Sequence, residues 1–127
     1  MTSSSAKIEP RLILCIDDDD IALRVRRLLL SIAGYEVLTA SSGEAGLDVL
    51  KQNPVDLVIA DHFLSAMTGT EIAREMKTLK PGVPILIVSG TAEKPSGIEF
   101  AEGFLSKGEP PDVLLDNIAR LLNKTPC

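Results

Sequence analysis

Five short runs, RLILCI, YEVLTA, VDLVIA, PILIVS and GFLS, are almost continuously apolar, and amphipathic or loop-like segments separate them. Such runs do not alternate between a wet and a dry face, so they imply strands covered on both sides, as in a parallel sheet. We expect strands over Arg11 to Ile16, Tyr35 to Ala40, Val55 to Ala60, Pro84 to Ser89 and Gly103 to Ser106. Right-handed crossovers between parallel strands then give a doubly wound α/β sheet.

The connecting segments carry helical spacing. Ile21, Val25, Leu28, Leu29 and Ile32 fall on one helical stripe, which predicts the inner face of a first helix ending at Gly34. Ser41 to Glu44 (SSGE) has capping-box spacing and opens a second helix, closed near Gln52 by Asn53-Pro54. A third spans about Thr70 to Lys80, with Ile72, Ala73, Met76 and Leu79 inward. The last, about Pro111 to Asn123, aligns Leu114, Ile118, Leu121 and Leu122 and places Asp116 and Arg120 for an i,i+4 pair.

A chain of 127 residues fits one core. We divide it into residues 1–10, a disordered N-terminal segment, 11–123, the folded domain, and 124–127, a C-terminal tail. The net charge of −5 argues against direct binding to nucleic acid, which is driven by Lys and Arg. No signal peptide or membrane-spanning stretch is visible, so a cytoplasmic location without membrane attachment is expected. Cys15 lies within an apolar run and Cys127 is terminal, which suggests a buried small hydrophobe and a tail thiol rather than a disulfide.

In doubly wound sheets the functional crevice lies beyond the carboxyl ends of the strands. The residues there are Asp17 and Asp18, Asp61, Ser89 and Lys107. Like charges repel by about 4 kcal/mol per pair at ~4 Å and an effective dielectric near 20, so three carboxylates call for a cation or a proton. Oxygen donors without a His or Cys cluster favour Mg²⁺. A lysine and a hydroxyl opposite such an ion suit a phosphoryl group, and a carboxylate can act as its nucleophile. Asp61 is the candidate acceptor. Asp19 or Asp20 is the expected N-cap of the first helix.

These motifs, in this order, resemble the receiver domains of two-component response regulators. ILCIDD resembles the family's first strand and acidic pair, VDLVIAD the third strand with its phosphoacceptor, ILIVSG the fourth strand with its switch hydroxyl, and FLSK the fifth strand with its lysine. The resemblance covers about Leu12 to Leu122 and implies a flavodoxin-like five-stranded parallel sheet in the order 2-1-3-4-5. It implies metal binding by Asp17, Asp18, Asp61 and the main-chain carbonyl of Phe63, phosphorylation at Asp61 assisted by Lys107 and Ser89, and a switch formed by Ser89 and Phe104. A histidine kinase or histidine phosphotransfer protein would supply the phosphoryl group. The output would be contact with an unknown downstream protein, with a weak homodimer allowed, and the module would not turn over as an enzyme.

Departures from the family pattern accompany the match. Ser65 replaces a usual proline, which predicts a looser loop, and Gly108 replaces the proline after the lysine. The stretch from Ser89 to Lys107 is several residues short and contains Pro95 and Gly97, so the family's fourth helix is expected to be shortened or missing. Phe63 is expected to shield a phosphoryl group from water, and His62 to be an exposed bystander.

Two other functions compete. A pseudo-receiver would bind protein without phosphorylation. A haloacid-dehalogenase-like phosphatase would use Asp17 as nucleophile in an Asp17–Asp19 motif, leaving Asp61 idle and lacking an acidic motif after Lys107.

Overall fold

The computed structural model describes residues 10–91 and 93–124. The expected N-terminal segment before Pro10 and the tail thiol Cys127 lie outside the described residues. Strands β1 (Leu12–Ile16), β2 (Glu36–Ala40), β3 (Leu57–Asp61), β4 (Ile85–Ser89) and β5 (Gly103–Ser106) form one sheet in the order β2-β1-β3-β4-β5. Every pairing is parallel, with Ile16 opposite Ala40 and Ala60, Asp61 opposite Val88, and Ser89 opposite Ser106. This is the expected order.

The strands are apolar throughout because both faces are covered. Ile13, Cys15, Leu57, Ile59, Leu86, Val88 and Leu105 point into one cluster, completed by α1 (Asp20–Ile32) and α4 (Pro111–Lys124). Their neighbours Leu14, Ile16, Val58, Ala60, Ile85 and Ile87 point into the other, against α2 (Gly43–Gln52) and α3 (Gly69–Leu79). Side chains alternate across a strand, so two cores on one sheet require apolar residues at every position. Gly46 lets α2 lie against β1, since a Cβ there would overlap the Ile16 side chain.

Helix α1 ends as the sequence suggests and faces the other way. Gly34, at φ 102°, closes it in a Schellman motif, with Gly34 N–H donating to Ser31 O and Tyr35 N–H to Leu30 O, both at 3.0 Å. Its buried residues are Leu23 and Leu30. The expected inner residues Ile21, Val25, Leu28 and Ile32 are instead between 63% and 77% exposed, and only Leu29 of that set is half-buried. The helix carries two apolar stripes, and its narrower one reaches the core. Truncating Leu30 to alanine costs about 2–5 kcal/mol, as for other buried leucines.

Other helix ends need smaller corrections. Ser42, not Ser41, caps α2, accepting Ala45 N–H at 3.1 Å. A capping box does form, but at α3, where Thr68 Oγ1 accepts Glu71 N–H and Glu71 accepts Thr68 N–H. On α4, Arg120 donates to Asn117 Oδ1 at 2.6 Å rather than pairing with Asp116.

Between β4 and β5 the crossover holds one short 3₁₀ turn, Ile98–Phe100, as the missing residues predict. It is fastened to its neighbours by side chains. Glu102 accepts Ile85 N–H at 2.8 Å and pairs with Lys77 at 2.6 Å, while Arg74 lies 5.8 Å from the Phe100 ring centre. Among the described residues, no helix is long and apolar enough to cross a membrane.

Candidate functional site

Parallel register brings the ends of β1, β3, β4 and β5 to one edge. Asp17, just past β1, is wholly buried. Its Oδ1 accepts Asp19 N–H at 3.0 Å, while its Oδ2 lies 3.5 Å from Lys107 Nζ and 3.8 Å from Arg26 Nη1. Asp18 next to it is exposed and accepts the Ser65 hydroxyl at 2.9 Å. Asp19 is the N-cap of α1, taking Ile21 N–H at 3.0 Å and Ala22 N–H at 3.3 Å, so it belongs to the helix.

Asp61 ends β3 and is buried. Its Oδ2 accepts Lys107 Nζ at 3.0 Å, whereas its Oδ1 is buried without a hydrogen-bond partner. Burial pushes the Asp61 carboxyl above its ordinary range. The Lys107 hydrogen bond opposes that shift, the Asp17 charge reinforces it, and the rise prevails. For Lys107, burial pulls the ammonium down, but the hydrogen bond and charge of Asp61 and the charge of Asp17 outweigh it, so its value rises. Burial likewise pushes the Cys15 thiol up to about 12, which makes it a packing residue rather than a nucleophile.

Ser89 is buried at the end of β4, with Oγ accepting Thr91 N–H at 3.3 Å. Lys107 is set by its backbone, which donates to Ser89 O at 2.7 Å, and its side chain is 37% exposed. Phe104 is half-buried on β5 against the cluster shared with the 3₁₀ turn. Phe63 is 57% exposed. The loop carrying it is tied by the Ser65–Asp18 hydrogen bond, a Phe63–Thr68 bridge and Gly69 N–H on His62 O at 2.9 Å. Ser65 fastens this loop where its replacement of proline suggested slack.

His62 is buried rather than exposed, with Nδ1 lacking a hydrogen-bond partner and its ring edge-on to Phe63 at 4.9 Å. The chain turns back tightly over it, because a Cβ on Gly69 would lie 2.9 Å from His62 Cα. The crevice holds one further charged residue that the strand-end pattern does not mark. Arg26 sits between Leu23 and Leu30 on the buried side of α1, and a charge on that stripe was the available signal.

Carboxylate oxygens of Asp17, Asp18 and Asp61 all lie within 4.8 Å of one another. The unpartnered Asp61 Oδ1 and the hard oxygen donors fit Mg²⁺. A family model described as the response regulator receiver domain matches residues 13–119. The chain belongs to the response regulator receiver family.

Relatives and solved structures agree with that membership. The transcriptional regulatory protein GlrR of Escherichia coli (strain K12) is 33% identical over 121 residues, covering 92% of this chain and 27% of that protein. The cell cycle transcriptional regulator CtrA of Caulobacter vibrioides is 29% identical over 117 residues, 89% of this chain and 51% of that protein. The chain thus spans between 27% and 51% of the length of these relatives. A CheY-like receiver domain from Methanospirillum hungatei superposes with a TM-score of 0.86 at 29% identity, covering 92% of this chain and 97% of that one. The response regulator TrrA of Thermotoga maritima, in complex with Mg²⁺–BeF, gives a TM-score of 0.83 at 26% identity, covering 87% and 98%. The phosphatase alternative is not favoured: Asp19 is spent on capping α1, and Lys107 reaches Asp61.

Proposed function

We propose that this receiver accepts a phosphoryl group on Asp61 from a histidine kinase or histidine phosphotransfer protein, with Mg²⁺ at the acidic crevice, and signals by protein contact. The observation that carries the proposal is the Asp61 side chain: one oxygen hydrogen-bonded to Lys107, the other buried and unpartnered beside two further carboxylates. Asp18, exposed and held by one hydroxyl, would be the readiest carboxylate to hold the ion, with Asp17, whose oxygens already have partners, Asp61 and the Phe63 carbonyl as the other groups that would hold it. The bound ion supplies positive charge to the transferring phosphoryl oxygens.

A carboxylate oxygen of Asp61 attacks phosphorus while the bond from phosphorus to the donor imidazole nitrogen breaks. The electron pair returns to that nitrogen, and an acyl phosphate remains on Asp61. Lys107 then has a phosphoryl oxygen to neutralise, and the Ser89 hydroxyl can leave Thr91 to donate to another. Movement at Ser89 and Phe104 alters the adjoining loops, which biases a two-state equilibrium. One phosphoryl group occupies each acceptor, so the module signals stoichiometrically. The Phe63 ring limits access of water, and Phe63→Asn therefore shortens the phospho-Asp61 lifetime; an equal lifetime would remove this role.

The exposed stripe Ile21, Val25, Leu28 and Ile32 is the proposed docking face for the phosphodonor. It adjoins a groove of about 410 Å³ between α1 and α4, lined by Asp19, Ile21, Val25 and Lys107 among others, and so leads into the crevice. Exposed Arg24 and Arg27 on the same helix favour a donor helix with acidic flanks.

Acetyl phosphate with Mg²⁺ should label the protein, and Asp61→Asn should abolish the label. Leu28→Asp should retain acetyl phosphate labelling while losing transfer from the kinase. Failure of the parent to label from either donor would leave a pseudo-receiver.

A further inference from the structure

We propose that Arg26 is a positioning residue of the acidic crevice, a resident cation that holds Asp17 and thereby limits how tightly Mg²⁺ binds. This rests on the Mg²⁺ assignment above and adds a residue to it. Arg26 lies on α1 three residues after Leu23 and four before Leu30, the two residues that bury the helix. Its side chain is only 11% exposed. A guanidinium in such a place is unfavourable unless an opposite charge accompanies it. That charge is Asp17, whose Oδ2 is 3.8 Å from Arg26 Nη1.

The contact is an ion pair without a hydrogen bond, since Nη1 is buried and has no hydrogen-bond partner. Arg26 therefore acts on Asp17 by charge at close range. Lys107 reaches the same Oδ2 at 3.5 Å but lies nearer to Asp61, at 3.0 Å. The two cations are placed differently. Lys107 is more than a third exposed on a flexible stem, whereas Arg26 is only 11% exposed and lines the groove between α1 and α4 from the core-facing side of its helix.

Two consequences follow from that arrangement. Before metal binds, two cations rather than one oppose the three carboxylates, so part of the repulsion that attracts Mg²⁺ is already relieved. When Lys107 turns to a phosphoryl oxygen, Asp17 still keeps a cation behind it. Arg26 thus exchanges metal affinity for a crevice that holds its shape when empty.

The test compares the parent with R26M, R26Q and the charge-retaining R26K. Mg²⁺ dissociation constants come from calorimetry, and melting temperatures are taken in EDTA and in saturating Mg²⁺. R26M and R26Q should bind Mg²⁺ about tenfold more tightly, and R26K within about twofold of the parent. In EDTA the neutral variants should melt below the parent, and Mg²⁺ should close most of that gap. Folding of a neutral variant only when Mg²⁺ is present would be the extreme form of the same result. Unchanged or weaker Mg²⁺ binding in both neutral variants overturns the proposal, as does a melting deficit equal with and without Mg²⁺, which marks a packing role alone. A parent that binds no Mg²⁺ would refute the metal assignment itself and Arg26's role with it, and that failure is visible without any variant.

Discussion

Asp17 and Asp18 are neighbours in the chain and opposites in surroundings. Asp17 belongs to a floor of mutually committed charges, with buried Asp61, nearly buried Arg26 and the partly solvated Lys107 around it. Asp18 belongs to a rim, exposed and held by the Ser65 hydroxyl, with the exposed Phe63 two residues before Ser65. Burial strengthens each interaction on the floor and raises the cost of losing a partner there, whereas solvent weakens both at the rim. On the proposed function, the floor would set whether the crevice can hold a phosphoryl group at all, and the rim how readily a cation enters it.

The largest expected effect comes from breaking the floor at Lys107. In Lys107→Met the hydrogen bond to Asp61 is gone, and acetyl phosphate labelling should fall about 10²-fold or more, as when a preorganised donor to a developing charge is removed. Stability at neutral pH should fall by about 1–2 kcal/mol, less than for a fully buried pair because Lys107 is partly solvated. Labelling at the parental rate would show that the two regions do not differ in this way.

Acid titration reads the same floor. The folded-state value of Asp61 is raised above its ordinary 3.8, so its contribution to stability is fully present below 3.8 and is lost as pH rises through the higher folded value. In the metal-free protein burial therefore opposes the ionised form of Asp61. Asp61→Asn should stabilise the protein at pH 7 in EDTA by on the order of 1 kcal/mol, a few degrees of melting temperature. The gain should shrink towards pH 4 and on adding Mg²⁺ to the parent. Lys107 behaves in the complementary range: its raised value contributes stability below 10.5 that is lost as pH climbs through the folded value. A melting temperature for Asp61→Asn below the parent at pH 7 would mean that the Lys107 pair outweighs the burial cost.

How far this difference could be read from the chain depends on which physical signal each residue leaves. The sheet was legible because two covered faces force five uninterrupted apolar runs, and the order of strand-end residues located Asp17, Asp18, Asp61, Ser89 and Lys107 together. Periodicity alone did not orient α1. Ile21, Val25, Leu28 and Ile32 form the longer stripe, yet Leu23 and Leu30 meet the sheet, because an exposed apolar face and a core face have the same spacing. Periodicity does not mark Arg26 either, since it is a core-facing charge only when Leu23 and Leu30 meet the sheet. The burial of His62 comes from the chain folding back at Gly69, a contact that local pattern does not encode.

The smallest expected effect lies at the rim, and it is the most direct check that the rim is loosely built. Ser65→Ala removes the hydroxyl hydrogen bond to the Asp18 side chain, an exposed one contributing little to stability, while the capping box at Thr68 and the Gly69–His62 contact still hold the loop. Its Mg²⁺ dissociation constant should stay within about threefold of the parent, a difference below about 1 kcal/mol. Asp18→Asn, which removes the charge itself, should weaken Mg²⁺ by at least about tenfold. If Ser65→Ala weakened binding as much as Asp18→Asn, the hydroxyl would be preorganising Asp18 as firmly as Lys107 and Arg26 hold Asp17. The rim would then be a second floor, and the replacement of the usual proline by serine would have tightened the site.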